Sequence, residues 1–165
     1  MCGIQGAGKS TFVRERFYDT HVRVSRDLLR TAHREARFLR TCVETRQPFV
    51  VDKVNATRAD RAAYLTPALE AGYRALAVWL DVRPRDAIAR NAARSGRARV
   101  PVPAILGTYK RLEIPSFEEG FAELWRVEVA EDGFVVAPLR GGIAASAEPR
   151  PCSQPTPSGV VGGGG

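Results

Sequence analysis

Five short runs rich in apolar and β-branched residues predict the strands of the chain. They lie at 21–25, 48–52, 74–80, 125–129 and 134–136. Segments with helical periodicity separate the first four runs, so strands and helices alternate along the sequence. Such alternation predicts parallel βαβ units and an α/β fold, a three-layer sandwich around a mostly parallel sheet.

Apolar residues that recur every three or four positions indicate the helices between these strands. The predicted helices lie over about 26–46, 57–71, 84–95 and 104–112. Asn55 or Thr57 is expected to cap the second of them, and Pro67 is expected to break it.

The composition is that of one globular domain followed by a tail. The chain has 165 residues, 44% apolar and 26% charged, which excludes a collagenous chain or one disordered throughout. From residue 141 onward Gly, Pro and Ser dominate. Such a segment buries too little apolar area to offset the entropy lost on ordering. We therefore expect a domain at 1–140 and a disordered tail at 141–165.

No sequence pattern predicts export, a membrane span or a zinc site. The longest apolar run, 75–80, is too short to cross a bilayer, and no signal-peptide pattern is present. Cys2, Cys42 and Cys152 lie far apart and form no CxxC pair, which favours a reducing compartment. We expect a cytoplasmic protein with no membrane partner.

The net charge of +7 is concentrated in one segment. Residues 83–111 contain eight Arg or Lys and one Asp, so eight minus one gives this segment alone a charge of +7. A concentrated positive segment attracts a phosphate, a nucleic acid or an acidic surface. A merely solvated helix face is the alternative.

Residues 3–11, GIQGAGKST, fit the phosphate-loop pattern GxxxxGK[ST]. Glycines let the backbone curl so that its N–H groups and the positive end of the next helix face a phosphate. Lys9 is expected to reach the β- and γ-phosphates of ATP, and the Ser10 hydroxyl to bind Mg²⁺. A glycine-rich turn that binds nothing is the alternative. The expected nucleotide-binding residues are Gly3, Ile4, Gln5, Gly6, Ala7, Gly8, Lys9, Ser10 and Thr11.

The strand that normally precedes a phosphate loop is short here. Only Met1 and Cys2 precede Gly3. We expect the first strand to be truncated, through a misassigned start codon or a shortened chain, and a version extended upstream to be more stable.

Asp27 lies where the first predicted strand ends and a helix begins. The carboxyl ends of strands in an open parallel sheet line the active crevice. Asp27 is therefore a candidate base for an acceptor hydroxyl, and Arg30, one turn later, a candidate ligand for an anionic acceptor. Helix capping is the alternative for Asp27.

Asp52 ends the apolar run 49–51, the position of a Walker B acid that orients Mg²⁺ or its water. A strand-terminal turn residue is the alternative. Asn55, three residues later, is a candidate for substrate contact or for capping the next helix, and we favour the cap.

Residues 83–111 are expected to form a lid over the nucleotide. Arg90 and Arg94 are four residues apart and share a helix face, and Arg97 and Arg99 follow. A lid arginine neutralises charge on the transferred phosphoryl group and excludes water. Two or three of these arginines are expected to be ordinary surface residues.

Four segments together resemble the P-loop kinases related to polynucleotide 5′-hydroxyl kinase. The resemblance spans about 3–129 and is particularly close to small bacterial proteins of that group, often labelled AAA-family ATPases. The segments are GIQGAGKSTFVRERF, VSRDLLRTAHRE, PFVVDKVNATRADRAAY and ARNAARSGRARVPVPAILGTYKRLEIPSFEEGFAEL.

The resemblance implies a P-loop NTPase fold, ATP and Mg²⁺ as cofactors, and roles for individual residues. Asp27 falls on the family's general base, and Arg30 on the arginine that binds the acceptor phosphate. Asp52 falls on the acid that ends the third strand of the family's fold. Arg90 and Arg94 fall on the lid arginines, with Arg94 the better candidate for contact with the transferred phosphate.

The chain departs from the family pattern after that strand. Relatives usually read DNTN, whereas this chain reads Asp52-Lys53-Val54-Asn55. A cation and an apolar group replace an amide and a hydroxyl near the acceptor site, which leaves the acceptor open.

The leading hypothesis is an ATP- and Mg²⁺-dependent kinase that phosphorylates a polynucleotide 5′-hydroxyl, with Asp27, Lys9 and Arg94 as catalytic residues. Its partners would be ATP and nucleic-acid 5′ ends, and no protein partner is inferred. A kinase acting on a sugar, nucleoside or antibiotic hydroxyl is the second hypothesis, because fold does not fix substrate. A nucleotide-binding module without transfer activity is the third, motivated by Lys53 and Val54.

Overall fold

The computed structural model describes residues 1–139, so the tail predicted at 141–165 lies outside the described residues. All five predicted strands are present. In chain order the elements are α1 (Lys9–Arg16), β1 (Val22–Val24), α2 (Arg26–Leu29), α3 (Ala32–Glu44), β2 (Phe49–Val51), α4 (Arg58–Glu70), β3 (Leu76–Leu80), α5 (Pro84–Ala92), α6 (Val102–Lys110), β4 (Glu123–Ala130) and β5 (Gly133–Pro138). Short 3₁₀ helices lie at Gly96–Ala98 and Phe117–Glu119.

The strands form an α/β fold with mostly parallel pairing, as predicted. β1 pairs in parallel with β2, and β3 pairs in parallel with β4. The exception is β5, which returns as an antiparallel hairpin on β4. The hairpin is accounted for by its short turn, since parallel neighbours need a long crossover instead.

The strands divide into two sheets, β1-β2 and β3-β4-β5. Met1 and Cys2 lie between these sheets and bond to both. The Met1 ammonium donates to Val51 O at 3.1 Å, and Cys2 forms an isolated parallel bridge with Trp79. The carboxyl ends of β2 and β3 are thereby held on either side of the start of the phosphate loop.

The single helix predicted over 26–46 is wrong, because two helices occupy that segment. Arg30 ends α2 in the left-handed region, with φ 70°. The Thr31 hydroxyl then accepts a hydrogen bond from Arg34 N–H at 3.2 Å and caps α3. This sharp turn directs the two helices differently and leaves α2 as a single turn at the end of β1.

One of the two caps predicted for α4 is confirmed, and the predicted break at Pro67 is wrong. Thr57 caps the helix in a reciprocal capping box with Asp60, so Asn55 is not the cap. Pro67 lies inside the continuous helix, one turn before its end, and does not break it. There the ring removes a single N–H, and the helix continues to Glu70.

The main core lies beneath the phosphate loop. It joins residues of the loop and α1 to residues of β3, β4, α5 and α6. Its buried members are Ile4, Ala7, Phe12, Val78, Leu80, Val82, Ala87, Ile105 and Val127. Phe134 of β5 packs edge to face on Phe12 at 5.1 Å. The loop is therefore supported by rigid packing rather than left free on the surface. None of the helices within residues 1–139 is long and apolar enough to cross a membrane.

Candidate nucleotide-binding site

The phosphate loop turns tightly between Cys2 and α1. Gly6 has φ 81°, and a Cβ atom there would lie 2.4 Å from the Ala87 carbonyl oxygen of α5. Gly8, the N-cap of α1, has φ 98°. Both positions therefore require glycine, because a side chain would strain the backbone and, at Gly6, collide with α5.

The other loop residues divide between core and surface. Ile4 and Ala7 are fully buried, so they can offer a phosphate only their backbone. Ser10 is exposed at the start of α1, and Thr11 is half-buried. The predicted loop residues thus form one continuous turn that leads into the positive end of α1.

Lys9 lies folded onto its own loop. Its side chain is buried, and Nζ donates to Gly3 O at 2.8 Å and to Ile4 O at 2.7 Å. Burial lowers the pKa of Lys9 to about 8. Among the neighbouring charges, that of Asp52 has the largest effect on this pKa, and it acts in the opposite direction by raising the pKa.

Three other predicted site residues influence the pKa of the Lys9 ammonium. The carboxylates of Asp52 and Asp27 raise the pKa of Lys9, while the guanidinium of Arg94 lowers it. Asp52 follows β2, Asp27 lies in α2, and Arg94 follows α5. Charges from three separate segments therefore act on the pKa of the phosphate-loop lysine.

Asp52 is held by an arginine that the sequence analysis did not single out. Arg23 donates to Asp52 Oδ2 through Nε at 2.9 Å and through Nη2 at 2.5 Å. The parallel register sets Val24 beside Val51, which brings the two side chains together. The sequence signal for this pairing was Arg23 itself, because it is a charged residue at the centre of the three-residue strand β1.

Asp27 and Arg30 are both exposed at the end of β1. The N-cap of α2 is Ser25, and Asp27 lies in the first helical turn, so the capping alternative is wrong. Arg30 follows the last helical residue rather than sitting one turn along the same face. The position of the Arg30 Cβ atom is therefore determined by this left-handed backbone conformation and not by helical periodicity.

Asn55 is buried and turned toward the start of the chain. Its Nδ2 donates to Met1 O at 2.9 Å, and its own carbonyl accepts from Arg61 Nη1 at 3.1 Å. Its Oδ1 is buried without a hydrogen-bond partner among the described residues. Contact between Asn55 and a substrate stays a prediction.

Lys53, the cation that departs from the family pattern, lies beside a buried acid. Lys53 Nζ donates to the Tyr64 hydroxyl at 2.6 Å, and that hydroxyl donates to Glu35 Oε1 at 2.8 Å. Glu35 also pairs with Arg26, the residue next to Asp27. Burial is the main cause that raises the pKa of the Tyr64 hydroxyl, and the hydrogen bond to Glu35 raises it further. The Lys53 charge is therefore partly balanced within the protein.

The basic segment forms α5, a short loop and α6. The buried Asn91 fixes the loop through two hydrogen bonds with Val100, one from Nδ2 to Val100 O at 2.7 Å and one from Val100 N–H to Oδ1 at 2.9 Å. Arg90 and Arg94 are exposed. The loop is thus held by the buried amide of Asn91, which directly follows Arg90 in the sequence.

The residues predicted to bind Mg²⁺ fit a small hard cation. Both Arg23 contacts use Oδ2 of Asp52, and Ser10 presents its hydroxyl at the surface. No group of three or more His, Cys, Asp or Glu side chains suited to a metal occurs within residues 1–139. Mg²⁺ is usually held by one or two protein oxygens together with phosphates and water, so this sparse donor set suits it.

A protein-family model described as an AAA domain matches residues 30–113, just over half of the chain. The chain belongs to this AAA domain family. The match begins at Arg30, beyond the phosphate loop, so the loop geometry is an independent observation. A comparison with curated proteins gave no significant match.

Among solved structures, this AAA domain protein is similar to a gluconokinase from Sinorhizobium meliloti 1021. The two share 22% identity, the match covers 79% of this chain and 81% of the gluconokinase, and the TM-score is 0.52. The fold is therefore that of a P-loop kinase, as the sequence resemblance implied. The polynucleotide kinase-like subgroup stays a prediction.

Proposed function

We propose that the protein is an ATP-dependent phosphotransferase that acts on a hydroxyl acceptor. One observation carries the proposal: in a chain with the fold of a P-loop kinase, the phosphate loop turns tightly around a buried Lys9, whose Nζ donates to Gly3 O at 2.8 Å and to Ile4 O at 2.7 Å. Phosphoryl transfer needs a phosphate cradle, a base for the acceptor and a cation for the transferred group. The phosphate loop, Asp27 and Arg94 would supply these three groups from three different segments of the chain.

Each of these residues has one role in the proposed reaction. The loop N–H groups and Lys9 hold the β- and γ-phosphates, with Lys9 exchanging the Gly3 and Ile4 carbonyls for phosphate oxygens. Asp27 accepts the proton of the acceptor hydroxyl as its oxygen attacks the γ-phosphorus, while the bond from that phosphorus to the β,γ-bridging oxygen breaks and ADP leaves. Arg94 neutralises charge on the transferred phosphoryl group.

Ser10 and Asp52 would hold Mg²⁺, and Arg23 would keep the Asp52 carboxylate in place. When bound, the ion neutralises charge on the β- and γ-phosphates. Arg90, exposed on α5, would contact the nucleotide phosphates from the lid.

The first candidate acceptor is a polynucleotide 5′-hydroxyl. Arg30 is exposed three residues from Asp27, and the lid adds the exposed Arg90, Arg94 and Arg99. An exposed guanidinium beside the proposed base favours an acceptor that carries phosphate next to its hydroxyl.

A small hydroxyl compound is the second candidate acceptor. The similarity of the fold to a gluconokinase supports it. The balanced charge of Lys53 supports it as well, because that cation is already paired with Glu35 and Tyr64.

The test is transfer of labelled γ-phosphate from ATP, with Mg²⁺, to 5′-hydroxyl oligonucleotides and separately to gluconate and other sugars. We expect labelled oligonucleotide, and we expect Asp27→Asn to slow transfer by about 10²–10⁴-fold. Asp19→Asn, in an exposed turn after α1, is the matched control and should keep full activity.

Three other results are informative. Label on a sugar alone would assign the second acceptor class. ATP binding with no transfer to any acceptor would indicate a nucleotide-binding module. Transfer that survives Asp27→Asn unchanged would remove Asp27 from the mechanism.

A further inference from the structure

The helix that carries the candidate base has no apolar anchor. α2 is a single turn of four residues, and none of its side chains is buried. Its most apolar exposed side chain, Leu28, is 58% exposed and therefore does not tie the helix to a core. Short helices are not stable on their own in water, so the position of Asp27 depends on contacts between α2 and the rest of the fold.

Arg26 links α2 to a buried acid of α3. Its Nε donates to Glu35 Oε2 at 2.5 Å, and its Nη2 forms an ion pair with the same oxygen. The side chain of Arg26 is 42% exposed, whereas that of Glu35 is 3% exposed, so the carboxylate is the fixed end of the pair. Arg26 directly precedes Asp27, and a bond that fixes Arg26 therefore also fixes the start of the turn on which Asp27 lies.

The second oxygen of Glu35 is held by two further elements. The Tyr64 hydroxyl of α4 donates to Oε1 at 2.8 Å, and Lys53 Nζ, which follows β2, lies 3.8 Å from the same atom. The carboxylate thus connects α2 with α3, α4 and the end of β2. Both of its oxygens are occupied within the protein, so an indirect role fits Glu35 better than contact with a substrate.

Packing alone does not account for an acid at this position. The other buried residues of α3 are Leu39 and Cys42, which lie four and seven residues later on the same face. Burying a carboxylate is costly unless it is paired and hydrogen-bonded, and an apolar residue of similar volume is often at least as stabilising. The carboxylate therefore indicates a requirement for the bond to Arg26 rather than for filling space.

We propose that Glu35 is a positioning residue that acts on Asp27 through Arg26. By holding Arg26, it keeps α2 at the carboxyl end of β1 and keeps the Asp27 carboxylate within reach of the acceptor hydroxyl. The role of Asp27 rests on the proposed function, whereas the anchoring of α2 by Glu35 does not. Displacing a reacting group by about 1 Å is enough to slow a reaction by roughly 10²-fold, so a loose α2 would slow transfer.

The first test measures the anchoring of α2 without any substrate. Glu35→Gln keeps the size of the side chain and removes its charge. We expect hydrogen exchange to become about 10-fold faster at the amides of Leu29 and Arg30, whose hydrogen bonds close the turn of α2. Glu44→Gln, at the exposed last residue of α3, is the matched control and should leave this exchange unchanged. Arg26→Gln should give the same acceleration, which keeps the test available if Glu35→Gln does not fold.

The second test separates positioning from general stability. With the acceptor that the wild type phosphorylates, Glu35→Gln should lower kcat by about 10- to 100-fold and leave the KM for ATP unchanged, because the phosphate loop is not altered. The double variant with Arg26→Gln should be no slower than the slower single variant, since both changes remove the same link. Losses that multiply in the double variant would overturn the action through Arg26.

The two tests fail in different ways. Unchanged exchange at Leu29 and Arg30 in Glu35→Gln would overturn the proposal whatever the activity, and so would faster exchange with unchanged kcat. A wild type that transfers phosphate to no acceptor would overturn the proposed function and with it the role of Asp27. The exchange measurement would then still show whether Glu35 anchors α2.

Discussion

Gln5, in the phosphate loop, donates a hydrogen bond from Nε2 to the Thr108 hydroxyl of α6 at 3.1 Å. The Thr108 hydroxyl in turn donates to Ala104 O at 2.8 Å within its own helix. Both side chains are largely shielded from solvent, and together they tie the loop to the last helix of the basic segment. These hydrogen bonds link the phosphate loop directly to α6 of the basic segment.

Thr108→Val should loosen the loop without changing the shape of α6. Valine keeps the volume of threonine but accepts no hydrogen bond, so a buried Gln5 amide loses its partner. A buried donor left unpaired costs about 1–3 kcal/mol, and we expect ATP to bind roughly 5- to 10-fold more weakly. Titration calorimetry with ATP measures this, with Thr66→Val on the exposed face of α4 as the matched control. Unchanged affinity for Thr108→Val would show that the loop does not depend on α6.

Gly6→Ala should disable the loop more severely. The new methyl group would start 2.4 Å from the Ala87 carbonyl oxygen, and α5 is packed on the core there. We expect loss of measurable ATP binding and a destabilisation of about 1–3 kcal/mol from strain and overpacking. Gly107→Ala is the control, because a Cβ at that position meets no atom within 4 Å. Chemical denaturation and ATP titration of both variants check the prediction, which normal ATP binding by Gly6→Ala would contradict.

Lys53→Asn replaces a cation with a neutral amide, and we expect it to lower stability. The substitution removes a cation 3.8 Å from the buried Glu35 and the donor to the Tyr64 hydroxyl. Because Arg26 still pairs with Glu35 and Lys53 is half-exposed, the expected loss is only about 1 kcal/mol. Urea unfolding measures it, with the exposed Lys110→Asn as control. A stabilised variant would show that Lys53 has no role in balancing Glu35.

The elements that sequence analysis predicted correctly are those with a local signal. The phosphate loop depends on glycines at fixed spacing, and each strand on a compact apolar run, so neither requires knowledge of distant residues. The cap of α4 also had a local signal, because Thr57 and Asp60 form a capping box visible in the sequence. The preference for Asn55 as the cap did not take this reciprocal pair into account.

The features that were missed depend on backbone geometry or on distant pairing. The break between α2 and α3 results from a left-handed Arg30, a conformation that apolar periodicity does not reveal. Arg23 and Asp52 meet only through the register of two strands. Arg61 and Glu119 are 58 residues apart in sequence, so their pairing follows from the tertiary fold alone.

Arg61 and Glu119 form a buried ion pair that holds α4 against the 3₁₀ helix Phe117–Glu119. Arg61 Nε donates to Glu119 Oε2 at 2.6 Å and Nη2 to Oε1 at 2.8 Å, and the side chains are 4% and 7% exposed. Arg61 Nη1 also donates to Glu113 O at 2.9 Å. Removing one partner leaves the other charge buried, which typically costs about 3–5 kcal/mol.

We therefore expect Glu119→Gln to destabilise the protein at neutral pH and to lose this effect in acid. Burial raises the pKa of Glu119, but the hydrogen bonds from Arg61 and from Ser116 N–H outweigh it and hold the pKa below 4.5. The contribution of the ionised carboxylate is thus complete above about pH 4.5 and is lost as pH falls through the lower, folded-state pKa. Urea unfolding at pH 7 and at pH 3 should show a gap between wild type and variant that narrows in acid. Glu118→Gln, at a neighbouring site whose side chain is 79% exposed, should show little gap at either pH. A gap for Glu119→Gln that is equal at both pH values would mean that the charge of Glu119 does not stabilise the fold.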